Sequence, residues 1–173
     1  MSLEHDLVEQ AKTLSNSDLN RPKQASLRRA VSAAYYALFH LLSGESVRLF
    51  VRGGDGLPIA ARLRRTLNHL DMKRASASLL KGDLPDSIRA ENERYLPTAE
   101  LAHVCRTFIL LQQYRHTADY DLSAKFTRSH VHELIHEVET AFSSWEVIRN
   151  TDEARIYLGC FLLWDVWKKP SRQ

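Results

Sequence analysis

The sequence predicts an all-α protein. Apolar residues recur at three- and four-residue intervals through most of the 173 positions. No stretch of useful length alternates apolar with polar residues, and no internal repeat is visible. Four of the six glycines fall within residues 43–58, between periodic segments.

The first helix is expected over residues 2–16, with Leu3, Leu7, Ala11 and Leu14 on one face. Residues 15–22 supply capping side chains, and Pro22 suits a helical first turn. The second helix, residues 22–42, has the strongest pattern. Leu27, Val31, Ala34, Tyr35, Leu38 and Leu42 make one apolar stripe, and its alanines permit close approach of a neighbour. Residues 43–58 are predicted as a turn or loop with a helical turn near 45–51. Helical spacing returns at 59–70 and continues at 72–82, as a second short helix or an extension. Residues 83–98, polar and carrying Pro85 and Pro97, are expected to be a loop. A third long helix starts at its N-cap Thr98 and runs to about Tyr114. A fourth covers 127–149 and a fifth 151–167. The expected architecture is an up-down bundle of four to five long helices with short helices in the second connection.

Composition is that of a globular protein, 44% hydrophobic and 26% charged. The two cysteines, Cys105 and Cys160, sit in apolar helical patterns, which argues against a disulfide framework and for a reducing compartment. The first ten residues lack the apolar run of a signal peptide. "LGCFLLWDVW" is too short to span a bilayer and is interrupted by Asp165. A cytoplasmic protein without membrane attachment is expected. The net charge is +3, and 17 of the 24 basic residues are arginine, a side chain suited to phosphate and carboxylate. A GC-rich genome would give the same bias.

Three groups of residues carry chemistry. "HELIH" fits H-E-x-x-H, so His132 and His136 share a helix face beside Glu133, as in zinc hydrolases. No recognisable third ligand follows, so the expectation is a polar helix face with no metal role beyond adventitious nickel or zinc. "ARLRRTLNHLDMKR" places Arg62, Arg65 and His69 on one face, which suits phosphate or plain solvent. "YRHTADYD" packs Arg115, His116, Asp119, Tyr120 and Asp121 into seven positions where the third long helix is expected to end. Arg115 and His116 would suit the negative end of a helix dipole, and Asp119 and Asp121 a turn and cap. An arginine and a tyrosine at such a junction would also grip a phosphodiester, with a hydroxyl or imidazole relaying protons.

"RRAVSAAYYALFHLL" (28–42) and "RHTADYD" (115–121), in that order and at that separation, resemble two signatures of the HEPN superfamily. "SHVHELIHEVETAFSSW" is similar to its last core helix. The resemblance covers residues 1–148 as the bundle, and implies 149–173 as an appended C-terminal helix packing on it. It implies a helical bundle, commonly homodimeric, without a cofactor. Active relatives are metal-independent endoribonucleases, often toxins or defence factors. Their motif is an arginine followed, after four to six residues, by a histidine at this junction. Here Arg115 is in place and Tyr120 stands where the histidine is expected, while His116 is adjacent to the arginine. The resemblance therefore implies Arg115, Tyr120 and His116 as the reacting set. Asp119, Tyr36, His40, Arg29 and Arg65 are expected to bind. RNA or a nucleotide is the expected ligand, with an antitoxin or a nucleotidyltransferase as candidate protein partner. A non-catalytic dimerisation module is the alternative, and a zinc hydrolase is the third reading.

Overall fold

The computed structural model describes residues 2–17, 20–51, 58–85, 88 and 95–167. Seven helices lie among them: α1 (Leu3–Asn16), α2 (Gln24–Phe50), α3 (Pro58–Thr66), α4 (His69–Leu80), α5 (Ala99–Tyr120), α6 (Arg128–Ile148) and α7 (Asp152–Trp167). No strand occurs in the described residues, so the all-α expectation holds. Of the two predicted loops, residues 52–57 and much of 86–94 lie outside the described residues.

Two boundaries differ from the sequence reading. Residues 43–50, expected to be a turn or loop, continue α2. Ser43, Gly44, Glu45, Ser46 and Val47 are buried there, so tertiary packing overrides the weak helix propensity of glycine and serine. The second difference is α5, which does not stop at Tyr114 but runs to Tyr120. Its polar residues pair one turn apart, Arg115 with Asp119 and His116 with Tyr120, and so form a helix face rather than a turn.

The chain divides into two compact units, Met1–Leu41 with Thr107–Ser143 and Leu42–Arg106 with Ser144–Gln173. The first unit is built from neighbouring antiparallel helices. As α1 advances from His5 to Ser15, its partners on α6 retreat from Phe142 to Arg128. As α2 advances from Arg28 to Tyr35, its partners on α5 retreat from Ala118 to Phe108. The stripe read from sequence is the core here: Leu27, Val31, Ala34, Tyr35 and Leu38 are buried.

The second unit packs α4 against α7. The Tyr157 hydroxyl lies 2.8 Å from the Ser76 hydroxyl, and both side chains are fully buried. Ser46 donates to the Leu158 carbonyl at 3.1 Å, which ties the extended end of α2 to α7. A smaller cluster joins Val47 and Val51 to Ala60 and Leu63 of α3. Asn68 caps α4 by accepting from the Asp71 amide at 2.9 Å, which separates α4 from α3. Gly82, at φ +73°, ends α4 in the left-handed conformation that glycine alone adopts without cost. Thr151 caps α7, its hydroxyl accepting from the Ala154 amide at 3.2 Å.

Candidate functional site

The site lies where the last two turns of α5 meet α2 in the first unit. Along α2, Arg28, Ser32, Tyr36 and His40 are spaced by four and form one ridge. Arg115 and Asp119 face that ridge from α5. The Arg115 Nε lies 2.7 Å from Asp119 Oδ2, at an angle that makes the link electrostatic rather than a hydrogen bond. Asp119 is held in turn by Ser32, whose hydroxyl donates to Oδ1 at 2.8 Å. The Arg115 Nη2 donates to the Tyr36 hydroxyl at 3.1 Å.

Three tyrosine rings surround the guanidinium. Its carbon lies 5.6 Å from the Tyr36 centroid and 6.0 Å from those of Tyr35 and Tyr120, within cation–π range. Burial works against the charge, but Tyr36, Asp119 and the other two tyrosines outweigh it and raise the Arg115 pKa. Tyr35 is core: burial above all pushes its hydroxyl well beyond the usual tyrosine range. Tyr120 is 65% exposed, and the His116 ring lies against it at 5.0 Å. Arg115 itself keeps only 19% of its side chain exposed. A guanidinium carries five N–H donors, and among the described residues Nη1 of Arg115 has no acceptor. The arrangement is an oriented cation with donors to spare, beside an exposed pair of aromatic rings.

The sequence-predicted residues divide accordingly. Arg115, Asp119, Tyr120, His116 and Tyr36 come together. His40 is one turn further along α2, its ring 6.2 Å from that of Tyr36. Arg29 is exposed and lines a shallow groove with Leu7, Gln10, Leu14, Ser32 and Tyr36. Arg65 belongs to the last turn of α3 in the second unit and is exposed there. Asp121, expected to cap the next helix, instead closes a turn: its Oδ1 accepts from the Ser123 amide at 2.9 Å and the Ser123 hydroxyl at 2.6 Å. Those bonds pull its pKa below the usual carboxylate value. Thr127 caps α6 in its place, accepting from the His130 amide at 3.2 Å.

Two residues of the edge were not assigned a role from sequence. Ser32 positions Asp119. Arg28 donates to the carbonyls of Ala118, Asp121 and Ala124 at 2.7–2.8 Å, closing the C-terminus of α5 and the turn after it. The four-residue spacing of Arg28, Ser32 and Tyr36 is the signal that would have grouped them.

His132 and His136 sit on the exposed face of α6. Among the described residues no group of three His, Cys, Asp or Glu side chains is gathered, so they lack the third ligand of a zinc hydrolase. No described helix is long and apolar enough to cross a membrane. Comparisons with protein-family models, with curated proteins and with solved structures find no match to this chain.

Proposed function

We propose that this is a HEPN-like, RNA-directed cytoplasmic protein whose Arg115 edge engages single-stranded RNA. The observation that carries the reading is the Arg115 guanidinium: fixed by Asp119 and Tyr36, yet with Nη1 uncommitted next to exposed Tyr120 and His116. Arg115 would donate to phosphoryl oxygens, and a base would stack on the Tyr120 ring, as aromatic and guanidinium planes do for unpaired bases. Asp119 orients the arginine, and the ligand phosphate completes its donor set. Metal-independent strand cleavage needs a group that moves a proton near neutral pH, which an imidazole does better than a phenol. A phenol, Tyr120, is the exposed ring against the Arg115 guanidinium, and the His116 ring packs on Tyr120, so binding is the primary activity in this reading. A homodimer, and an antitoxin or nucleotidyltransferase partner in a toxin or defence system, belong to the same reading.

The test is RNA binding and cleavage by purified protein in EDTA. Wild type should bind single-stranded RNA, and Arg115→Ala should lose binding while keeping its helical circular dichroism. Tyr120→His, which restores the arginine–histidine spacing, should raise cleavage about 10²-fold, the lower range for a positioned general acid–base. Equal binding by wild type and Arg115→Ala would refute the reading.

A second reading, a non-catalytic dimerisation module, is favoured by one observation. Asp119 already neutralises Arg115, and Tyr120 and Leu122 next to it are 65% and 85% exposed. Sedimentation would then show a dimer that Leu122→Asp dissociates, with no dependence on RNA.

A further inference from the structure

The chain has eight histidines, and six are engaged. His5 lies 2.8 Å from the Ser2 hydroxyl and packs on Phe142. His40 packs on Tyr36 and Phe39, His116 on Tyr120, and His130 on Tyr114 and Phe126. His69 and His103 also have partners. Among the described residues, the two whose imidazoles have no hydrogen-bond, ion-pair or ring partner are His132 and His136. They are one turn apart on α6 and line the same open surface hollow with Arg128, Ser129 and Glu133.

That coincidence has a specific chemistry. Side chains at i and i+4 of a helix are neighbours, with Cβ atoms roughly 5–6 Å apart. Two imidazoles so placed can share one metal ion. Imidazole nitrogen suits zinc, nickel and copper and does not suit the hard cations magnesium and calcium. The helix is preformed, so little ordering opposes binding. The neighbouring cations are already satisfied: Arg128 Nε donates to the Ser15 carbonyl at 3.1 Å, and Lys12 is paired with Glu9 and Glu139. Glu133 adds negative charge beside the pair, and its Oε1 accepts from the Ser129 hydroxyl at 3.3 Å.

We infer that His132 and His136 form a surface chelate for one borderline-soft divalent transition-metal ion. The protein supplies two ligands and water fills the other positions. This site is independent of the RNA-binding proposal, and it differs from a zinc hydrolase centre in having no third ligand among the described residues and no enclosing cleft.

The experiment is calorimetric titration of the untagged, metal-free chain with zinc chloride, nickel chloride and magnesium chloride, paired with thermal unfolding. Zinc and nickel should bind one ion per chain and raise Tm, because an ion that binds only the folded state stabilises it by mass action. Magnesium should do neither. His132→Ala and His136→Ala should each abolish the response. Both positions are exposed and alanine is the best helix former, so both variants should keep the wild-type Tm without metal. His116→Ala should still bind. The inference is overturned if wild type shows no heat and no Tm shift with zinc or nickel, or if His132→Ala retains them.

Discussion

Each unit contains a tyrosine-centred polar cluster, and the two clusters are built differently. In the second unit Tyr157 is wholly enclosed. Its ring packs on Trp145 and Phe161, its hydroxyl meets Ser76, and Ser76 also donates to the Met72 carbonyl at 2.8 Å. Close by in sequence, Glu153 accepts from the Tyr95 hydroxyl, the Thr98 amide and the Thr98 hydroxyl at 2.6–2.9 Å. These groups are spent on one another. In the first unit Arg115 is held on one side by Asp119 and Tyr36 and opens on the other to Tyr120 and His116. A closed polar cluster fixes helices, whereas an anchored group with donors left over is placed for a ligand.

This contrast predicts a graded set of outcomes. The largest is in the closed cluster. Tyr157→Ala should cost about 3–5 kcal/mol in urea unfolding, since it empties a fully buried aromatic site. Tyr157→Phe should cost only about 1 kcal/mol, because Ser76 keeps its bond to Met72. Next is Arg28→Ala, which releases three carbonyls at the end of α5; a loss of about 2 kcal/mol is expected from charge-assisted bonds. Arg28→Lys should not rescue it, because an ammonium lacks the planar fork. Arg115→Ala should cost about 1 kcal/mol, since a half-buried guanidinium loses its Asp119 pair and its Tyr36 bond, while removing RNA binding. If Arg28→Ala and Arg115→Ala exchanged these effects, the assignment of a structural and a functional arginine on one edge would be wrong.

The last outcome is a pH dependence confined to alkaline solution. Burial pushes the Cys105 and Cys160 thiols from 9.0 up to about 12 in the folded chain. Below pH 9.0 both states keep these protons, and the thiols give stability no pH dependence. Between pH 9.0 and about 12 only the unfolded chain releases them, so stability falls as pH rises through that window. Cys160→Ala should flatten the fall, measured by urea midpoints across the range. Both thiols should also resist alkylation in the native protein.

Much of the fold was legible because it rests on long apolar periodicities. The stripe from Leu27 to Leu42 is buried as its spacing requires, and Thr98 caps α5 as expected, its hydroxyl accepting from the Leu101 amide at 3.3 Å. The continuation of α2 was not legible. Ser43, Gly44 and Ser46 look like a loop in isolation, and only burial and the Ser46 bond to Leu158, 112 residues away, make them helical. The site was half legible. Its α5 residues stood out by density, but "YRHTADYD" reads as a junction until the i,i+4 pairings of Arg115 with Asp119 and His116 with Tyr120 are counted as helix contacts. For Ser32 the four-residue spacing with Arg28 and Tyr36 marks the shared face, but its role as a donor to Asp119 shows only once that acceptor is placed.

The most direct test of the central claim is the salt dependence of single-stranded RNA binding, measured in EDTA for wild type and Arg115→Ala. If Arg115 grips a phosphate, the variant should bind more weakly. The slope of log affinity against log salt should also fall by about 0.7 for the one contact removed. Unchanged affinity and slope in a folded Arg115→Ala protein would contradict the account and leave the edge as a contact surface between proteins.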